Sequence, residues 1–147
     1  MIPNFFRKKP IPDKLPAEME QIVEELKHLN SKEECLKRAY EIMIGRYRGY
    51  RFRTYWQLHK AWEMDLEKIW KKTGFLHCHA MNYLLRVLLV KSGWFQDDDI
   101  QLKYSLVWYV SPHQYLRVKI EDNKFVNVDV WNYNYGKKFG DYAHGFH

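Results

Sequence analysis

Residues 78–93 read Cys78-His79-Ala80-Met81-Asn82-Tyr83-Leu84-Leu85-Arg86-Val87-Leu88-Leu89-Val90-Lys91-Ser92-Gly93, and a cysteine at the head of so apolar a run governs how the rest of the chain is read. Ala80, Met81, Leu84, Leu85, Val87, Leu88, Leu89 and Val90 cover too wide an arc for a surface helix with one apolar stripe. A buried central helix is therefore expected from Cys78 to Ser92, ended by Gly93, with Cys78 in its first turn. Leu84 to Val90 is the richest aliphatic run of the chain, yet it is far too short to span a membrane and Arg86 interrupts it.

Downstream the period changes to two. Leu102, Tyr104, Leu106, Trp108 and Val110 alternate with Lys103, Ser105, Val107 and Tyr109; Leu116, Val118 and Ile120 alternate with Tyr115, Arg117 and Lys119. Val126, Val128 and Val130 alternate in the same way with Phe125, Asn127 and Asp129. This pattern predicts three strands. Ser111-Pro112 and Glu121-Asp122-Asn123 are the expected turns, which makes an antiparallel meander the economical topology. The tail at 132–147 carries Gly136, Gly140 and Gly145 among aromatics and is read as an irregular cover.

Upstream, Met19, Ile22, Val23, Leu26 and Leu29 recur at helical intervals within Ala17 to Leu29. Ser31 with Glu34 forms a capping box for a second helix, whose apolar stripe of Cys35, Leu36, Ala39, Ile42 and Met43 ends at Gly45. Thr54 with Gln57 marks a third, running through Trp56, Trp62, Leu66, Ile69 and Trp70 toward Lys71, Lys72 and Gly74. Pro3, Pro10, Pro12 and Pro16 deny helix to residues 1–16, an extended lead-in.

A chain of 147 residues, 46% hydrophobic, 29% charged and 17% aromatic, fits one globular domain. Its parts are the lead-in (1–16), a helical part (17–73), a core (74–131) and the tail. The lead-in has Arg7, Lys8 and Lys9 but no apolar block after them, so a secretory signal is not expected and a cytoplasmic location is. Two cysteines are too few for a disulfide scaffold, although a single Cys35–Cys78 bridge is compatible with the sequence. The net charge of +6, from 24 basic and 18 acidic residues, favours acidic partners mildly and does not by itself indicate nucleic acid.

Thiolate is the reactive form of cysteine, and a helix N-terminus favours it through unpaired backbone N–H groups and the helix dipole. Cys78 has that position, where the same N–H groups can hold the oxyanion of a tetrahedral intermediate. His113 begins the second predicted strand and Asp129 ends the third. Counting back from the hairpin tip at Asp122 and Asn123 places residue 113 across from residues 130 to 132, within reach of Asp129. Cys78, His113 and Asp129 thus stand as nucleophile, base and orienter of a thiol triad.

The segments Gly74-Phe75-Leu76-His77-Cys78, His113-Gln114-Tyr115-Leu116-Arg117-Val118 and Phe125-Val126-Asn127-Val128-Asp129-Val130-Trp131 together resemble the transglutaminase-like superfamily. Its pattern is a helix-initial Cys, a His with an aromatic two residues on, and an Asp closing the next strand, often with Trp close behind. The resemblance covers about residues 74 to 131. It implies an α+β fold with a papain-like core, in which N-terminal helices and the central Cys helix pack on a small antiparallel sheet of about three strands. It also implies acyl transfer through a thioester: hydrolysis of a peptide or amide in some members, isopeptide crosslinking or deglycosylation in others. Carried over by position, Cys78 is the nucleophile, His113 the base and then the acid, and Asp129 the orienter. Neither cofactor nor metal is implied. The sequence departs from the pattern where His77 precedes the cysteine directly, with Gly74 four residues back, and where Val130 replaces the frequent Pro after the Asp. The family's side-chain oxyanion donor comes from upstream of the Cys, where Trp56, Gln57 and Trp70 match by type only.

Substrate contacts are expected from Trp56, Gln57, His77, His79, Tyr115 and Trp131. His77 and His79 do not suggest zinc, because helix neighbours one or two apart point different ways. Arg46, Arg48, Arg51 and Arg53, interleaved with Tyr47, Tyr50 and Phe52, are read as a connector whose aromatics pack inward, and not as a nucleic-acid site. Asp97, Asp98 and Asp99 are read as a solvated loop and not a calcium site. The expected activity is thiol peptidase or amidase hydrolysis of a peptide or protein amide, with neither nucleic acid nor membrane as partner. Amine crosslinking by a protein-glutamine gamma-glutamyltransferase is the alternative within the same chemistry, and a non-enzymatic peptide or nucleic-acid binding module is the alternative outside it.

Overall fold

The computed structural model describes residues 8–48, 65–71, 73–107, 111–131 and 139–140. Among them the chain is α+β, with four α-helices and a three-stranded antiparallel sheet. The helices are α1 (Ala17–Lys27), α2 (Lys32–Arg46), α3 (Leu66–Lys71) and α4 (Cys78–Lys91). A two-residue parallel pair joins β1 (Tyr47–Arg48) to β2 (Gly74–Phe75), which no periodicity announces. A 3-10 turn at Asp97–Asp99 leads into β3 (Ile100–Val107), followed by β4 (Ser111–Glu121) and β5 (Lys124–Val128), paired in the order β3-β4-β5. No helix among the described residues is long and apolar enough to cross a membrane.

The central helix forms where its composition demands, from Cys78 to Lys91, with Ser92 as C-cap and Gly93 in the left-handed region at φ 82°. Every residue from His79 to Leu89 is buried, Arg86 included. Arg86 cannot shed its charge, so it needs a partner: its Nε and Nη2 donate to Asp97 Oδ1 at 3.3 and 3.1 Å, and Nη2 also donates to the Lys9 carbonyl at 3.0 Å. Asp97 is therefore a structural counter-ion and not merely part of a solvated loop. Lys8 bonds the Asp97 carbonyl at 2.6 Å, so the lead-in is strapped over the far half of α4.

Ser31 caps α2 as expected, accepting from Glu34 N at 3.1 Å, but Glu34 returns its bond to Asn30 N, also at 3.1 Å, rather than to Ser31. The helix does not stop at Gly45. It continues to Arg46, whose guanidinium stacks 3.7 Å above Trp70, bonds the Trp70 carbonyl at 2.6 Å and pairs with Glu18 at 2.8 Å. Tyr47 Oη donates to the carbonyls of Ile69 and Trp70, both at 3.0 Å, completing the end of α3. This start of the arginine-rich segment is thus engaged inside the fold, with Tyr47 packed inward. The end of the third expected helix is present as α3, at whose start Asp65 Oδ1 accepts from Glu67 N and Lys68 N; its proposed start at Thr54 lies outside the described residues.

The expected turn at Ser111-Pro112 is instead strand, paired with Val107 and Leu106. Proline is tolerated there because β5 joins β4 only from Leu116, so the side of β4 facing away from β3 has no ladder bond to lose at this level. The Asp122-Asn123 turn forms as expected, with a register shift between Lys119 and Glu121. On β3 the apolar alternation does not become burial: Tyr104 is 41% exposed and Leu106 51%. α4 packs mainly on β4, the middle strand, and β3 is the edge.

Asp97→Asn leaves the buried guanidinium with a weaker, neutral acceptor and should lower urea-unfolding stability by about 1–3 kcal/mol. Asp98→Asn, one exposed residue along, should change it by less than about 0.5 kcal/mol. Equal effects of the two would show that Asp97 does not neutralise Arg86.

Candidate active site

Three elements converge on Cys78. The first turn of α4 carries it, β4 brings His113, and the segment after β5 brings Asp129. Register accounts for the last two: Leu116 pairs with Val128, so residue 113 falls opposite residue 131 and beside Asp129. His113 Nε2 lies 2.8 Å from Asp129 Oδ2, and both side chains are buried. With Nε2–H committed to the carboxylate, Nδ1 is the ring nitrogen that meets the sulfur, and His113 hydrogen-bonds Cys78.

Cys78 is half-buried as a residue, and neither Cys35 nor Cys78 is in a disulfide. Burial pushes the Cys78 thiol up, but hydrogen bonds from His113 and His79, with the charge of both rings, outweigh it and bring the thiol down to about 6. His113 moves the other way. Burial lowers it, while the Asp129 charge and hydrogen bond, together with Cys78, raise it to about 10. Both shifts favour the thiolate–imidazolium form of the pair. Cys35 behaves as core: it is fully buried, 3.5 Å from Ser92 Oγ, and burial raises its thiol.

A second link sets the distance between helix and strand. Asn82, one turn after Cys78, donates through Nδ2 to the Gln114 carbonyl at 3.1 Å and to Gln114 Oε1 at 3.0 Å. Gln114 follows His113 and is fully buried. This neutral clamp fixes the level of α4 against β4, and hence of Cys78 against His113. Sequence reading passed over it, although an Asn within an otherwise apolar helix signals a buried polar partner.

His113, Gln114, Tyr115 and Leu116 are all buried, so the strict alternation begins only at Arg117. Both faces of the strand are covered at its start: Asn82 of α4 meets Gln114 on one, and the Trp131 ring lies 5.7 Å from that of His113 on the other.

The expected substrate contacts fare differently. Trp131 is buried against His113 and shields the His113–Asp129 pair instead of lining an open cleft. His77 is the N-cap of α4, and His79 hydrogen-bonds Cys78; their rings are 5.9 Å apart and both are buried. Tyr115 lines a shallow groove of about 390 Å³ with Lys103, Arg117, Phe125 and Asn127, in which the Arg117 guanidinium sits 4.4 Å over Phe125. Trp56 and Gln57 lie outside the described residues. No protein-family model matches the chain, and no curated protein is found to be similar to it.

Iodoacetamide should alkylate Cys78 far faster than Cys35 at neutral pH, with a rate that rises through about pH 6 as the thiol loses its proton. His113→Asn removes both a hydrogen bond to the anion and a positive charge, so its midpoint should move up toward the ordinary cysteine range, about 8.5. A midpoint unchanged by this substitution would separate His113 from the thiol.

Proposed function

We propose that the protein is a thiol acyl-transfer enzyme with a papain-like, transglutaminase-like core, and that its acceptor is water. The observation that carries this reading is the arrangement at Cys78: a helix-initial, half-buried cysteine hydrogen-bonded to His113, which favours its anion, with His113 in turn bound to buried Asp129. A buried structural cysteine has no need of such surroundings, as Cys35 illustrates.

The chemistry follows from the charge states. Cys78 Sγ attacks the carbonyl carbon of an amide, forming a C–S bond as the carbonyl π pair moves to oxygen. The oxyanion lies at the N-terminus of α4, where the first intrahelical bonds run from Ala80 and Met81 to the His77 carbonyl. The tetrahedral adduct collapses, the C–N bond breaks, and His113 gives its Nδ1 proton to the leaving nitrogen. Neutral His113 then takes a proton from water, the resulting hydroxide oxygen attacks the thioester, and cleavage of C–S returns the thiolate and the acid product. Asp129 keeps the Nε2 proton in place throughout, so Nδ1 is the nitrogen that cycles. Because the resting pair is already ionised, the base step expected of His113 is complete before substrate arrives.

The binding-module reading draws on a different observation, the groove with Lys103 and Arg117 on its walls. Binding there would be salt-dependent and indifferent to Cys78→Ala.

Incubation with peptide aldehydes and peptidyl epoxides, followed by mass spectrometry, should yield one adduct per chain, on Cys78, and Cys78→Ala should abolish it. No adduct from either series, together with intact binding of an acidic peptide by Cys78→Ala, would sink the enzyme reading in favour of the module. Incorporation of a fluorescent primary amine into a glutamine-bearing protein would shift the acceptor from water to amine.

A further inference from the structure

The three-stranded sheet gives only one of its faces to the core. Leu116, Val118 and Val128 are fully buried there. Alternation, with the pairings of Lys103 to Tyr115 and of Arg117 to Asn127, puts those four residues and Phe125 on the opposite face. His113 and Asp129 share that face at its covered end, where they, Tyr115 and Trp131 are all buried. Further along it Arg117, Lys103 and Asn127 are only half-buried and Phe125 is 37% exposed, and the face opens into the groove of about 390 Å³.

Of the five residues that line this groove two are cations, and none is a carboxylate. Among the described residues neither Lys103 nor Arg117 has a carboxylate partner, whereas buried Arg86 holds Asp97, half-buried Arg46 holds Glu18, and Lys119, next along the face, holds Asp122 at 3.8 Å. Like charges on neighbouring strands repel, so packing of the sheet alone gives no reason for this pair. The Arg117 guanidinium lies 4.4 Å over the Phe125 ring, an attraction that holds the fork in place without neutralising it.

The spacing of the two cations narrows what they fit. Lys103 is rooted on β3, and Arg117 leans the other way, over a residue of β5. Those strands are two spacings apart, about 9.5 Å, so a single small anion reaches one cation well and the other poorly. An extended peptide presents alternate side chains on one side about 6.7 Å apart, and two acidic residues can meet both. Nucleic acid fits less well. Single strands are held by bases stacked on open aromatic faces, and here Arg117 covers Phe125 while Tyr115 is buried.

We propose that this groove is a docking site for an acidic peptide segment, with Arg117 taking one carboxylate through its planar fork and Lys103 taking a second as a point charge. The inference stands apart from the acyl-transfer reading, because it concerns the open face of the sheet and not the chemistry of Cys78.

Fluorescence anisotropy of fluorescein-labelled hexaglutamate, titrated with the full chain, tests this against labelled hexaglutamine. Hexaglutamate should bind saturably, weaken as salt rises from about 50 to about 200 mM, and bind Cys78→Ala as it binds wild type, while hexaglutamine does not bind. Arg117→Gln should weaken binding by at least about 10-fold and Lys103→Gln by about 3-fold. Lys37→Gln, on the exposed side of α2, removes the same charge away from the groove and should change it by less than about 2-fold. Circular dichroism checks folding, and Lys103→Gln decides alone where Arg117→Gln does not fold. Absence of binding would overturn the proposal, as would equal weakening by Lys37→Gln, which would assign the effect to net charge. Displacement by inorganic phosphate at constant ionic strength would mark a one-anion site, and tighter binding of an oligoadenylate of matched charge would mark a nucleic-acid site; either would overturn it too. Failure of the acyl-transfer reading leaves these results untouched and shows instead as an absence of adducts on Cys78.

Discussion

A pair of opposite charges held across the seam between α4 and β4 is the constraint on which the rest of the molecule depends. Keeping a thiol near 6 instead of 9 requires its anion to be favoured over the free thiol. A difference of that size corresponds to about 4 kcal/mol. One unit charge about 4 Å away, in surroundings of effective dielectric about 20, supplies roughly that amount. The His113 cation is thus of the right magnitude to hold the thiolate, but burial works against the anion, and here His79 and the helix N-terminus contribute. His113 faces the same difficulty, and Asp129 answers it from the far side of the ring.

Such a pair is stable only if its geometry cannot drift, and the surrounding architecture serves that end. α4 is enclosed on all sides, so it has neither room to slide nor a surface face to rotate outward. The Asn82–Gln114 clamp sets its level with neutral hydrogen bonds, which add no charge that would compete with His113 for the thiolate. Trp131 packs its ring 5.7 Å from that of His113, and His113, Asp129 and Trp131 are all buried. At the other end, Arg86 and Asp97 fasten the helix to the turn that begins β3, with the lead-in strapped across.

The features readable from sequence were those with a period or a count behind them. The breadth of the apolar set from Ala80 to Val90 placed the central helix, alternation placed the three strands, and counting back from Asp122 and Asn123 brought residue 113 across from residues 130 to 132, where the register puts residue 131. Features that depend on what lies alongside were not readable. Pro112 looked like a turn because only the missing partner on one side of β4 makes a proline acceptable there. Trp131, His77 and His79 looked like substrate contacts because residues flanking a reactive group are exposed or buried according to a cover the sequence does not display. Asn82 and Gln114 are single polar residues in apolar stretches, conspicuous by type but without a spacing that links them across 32 positions. Alternation on β3 misled for the complementary reason: an edge strand keeps its period even where the helix packs mainly on the strand beside it.

The same charge pair also bears on how one histidine could serve as acid and then as base. In the resting site two negative groups hold the proton on His113: Asp129, whose charge and hydrogen bond contribute more, and the Cys78 thiolate. Acylation of Cys78 removes the second of these, because a thioester sulfur carries no charge and accepts only weakly. The affinity of His113 for its proton must then fall at the moment its role changes from donor to acceptor. Asp129 remains, so the ring stays oriented while its basicity is reset. On the acyl-transfer reading, the covalent state of the sulfur selects which half of the cycle His113 performs.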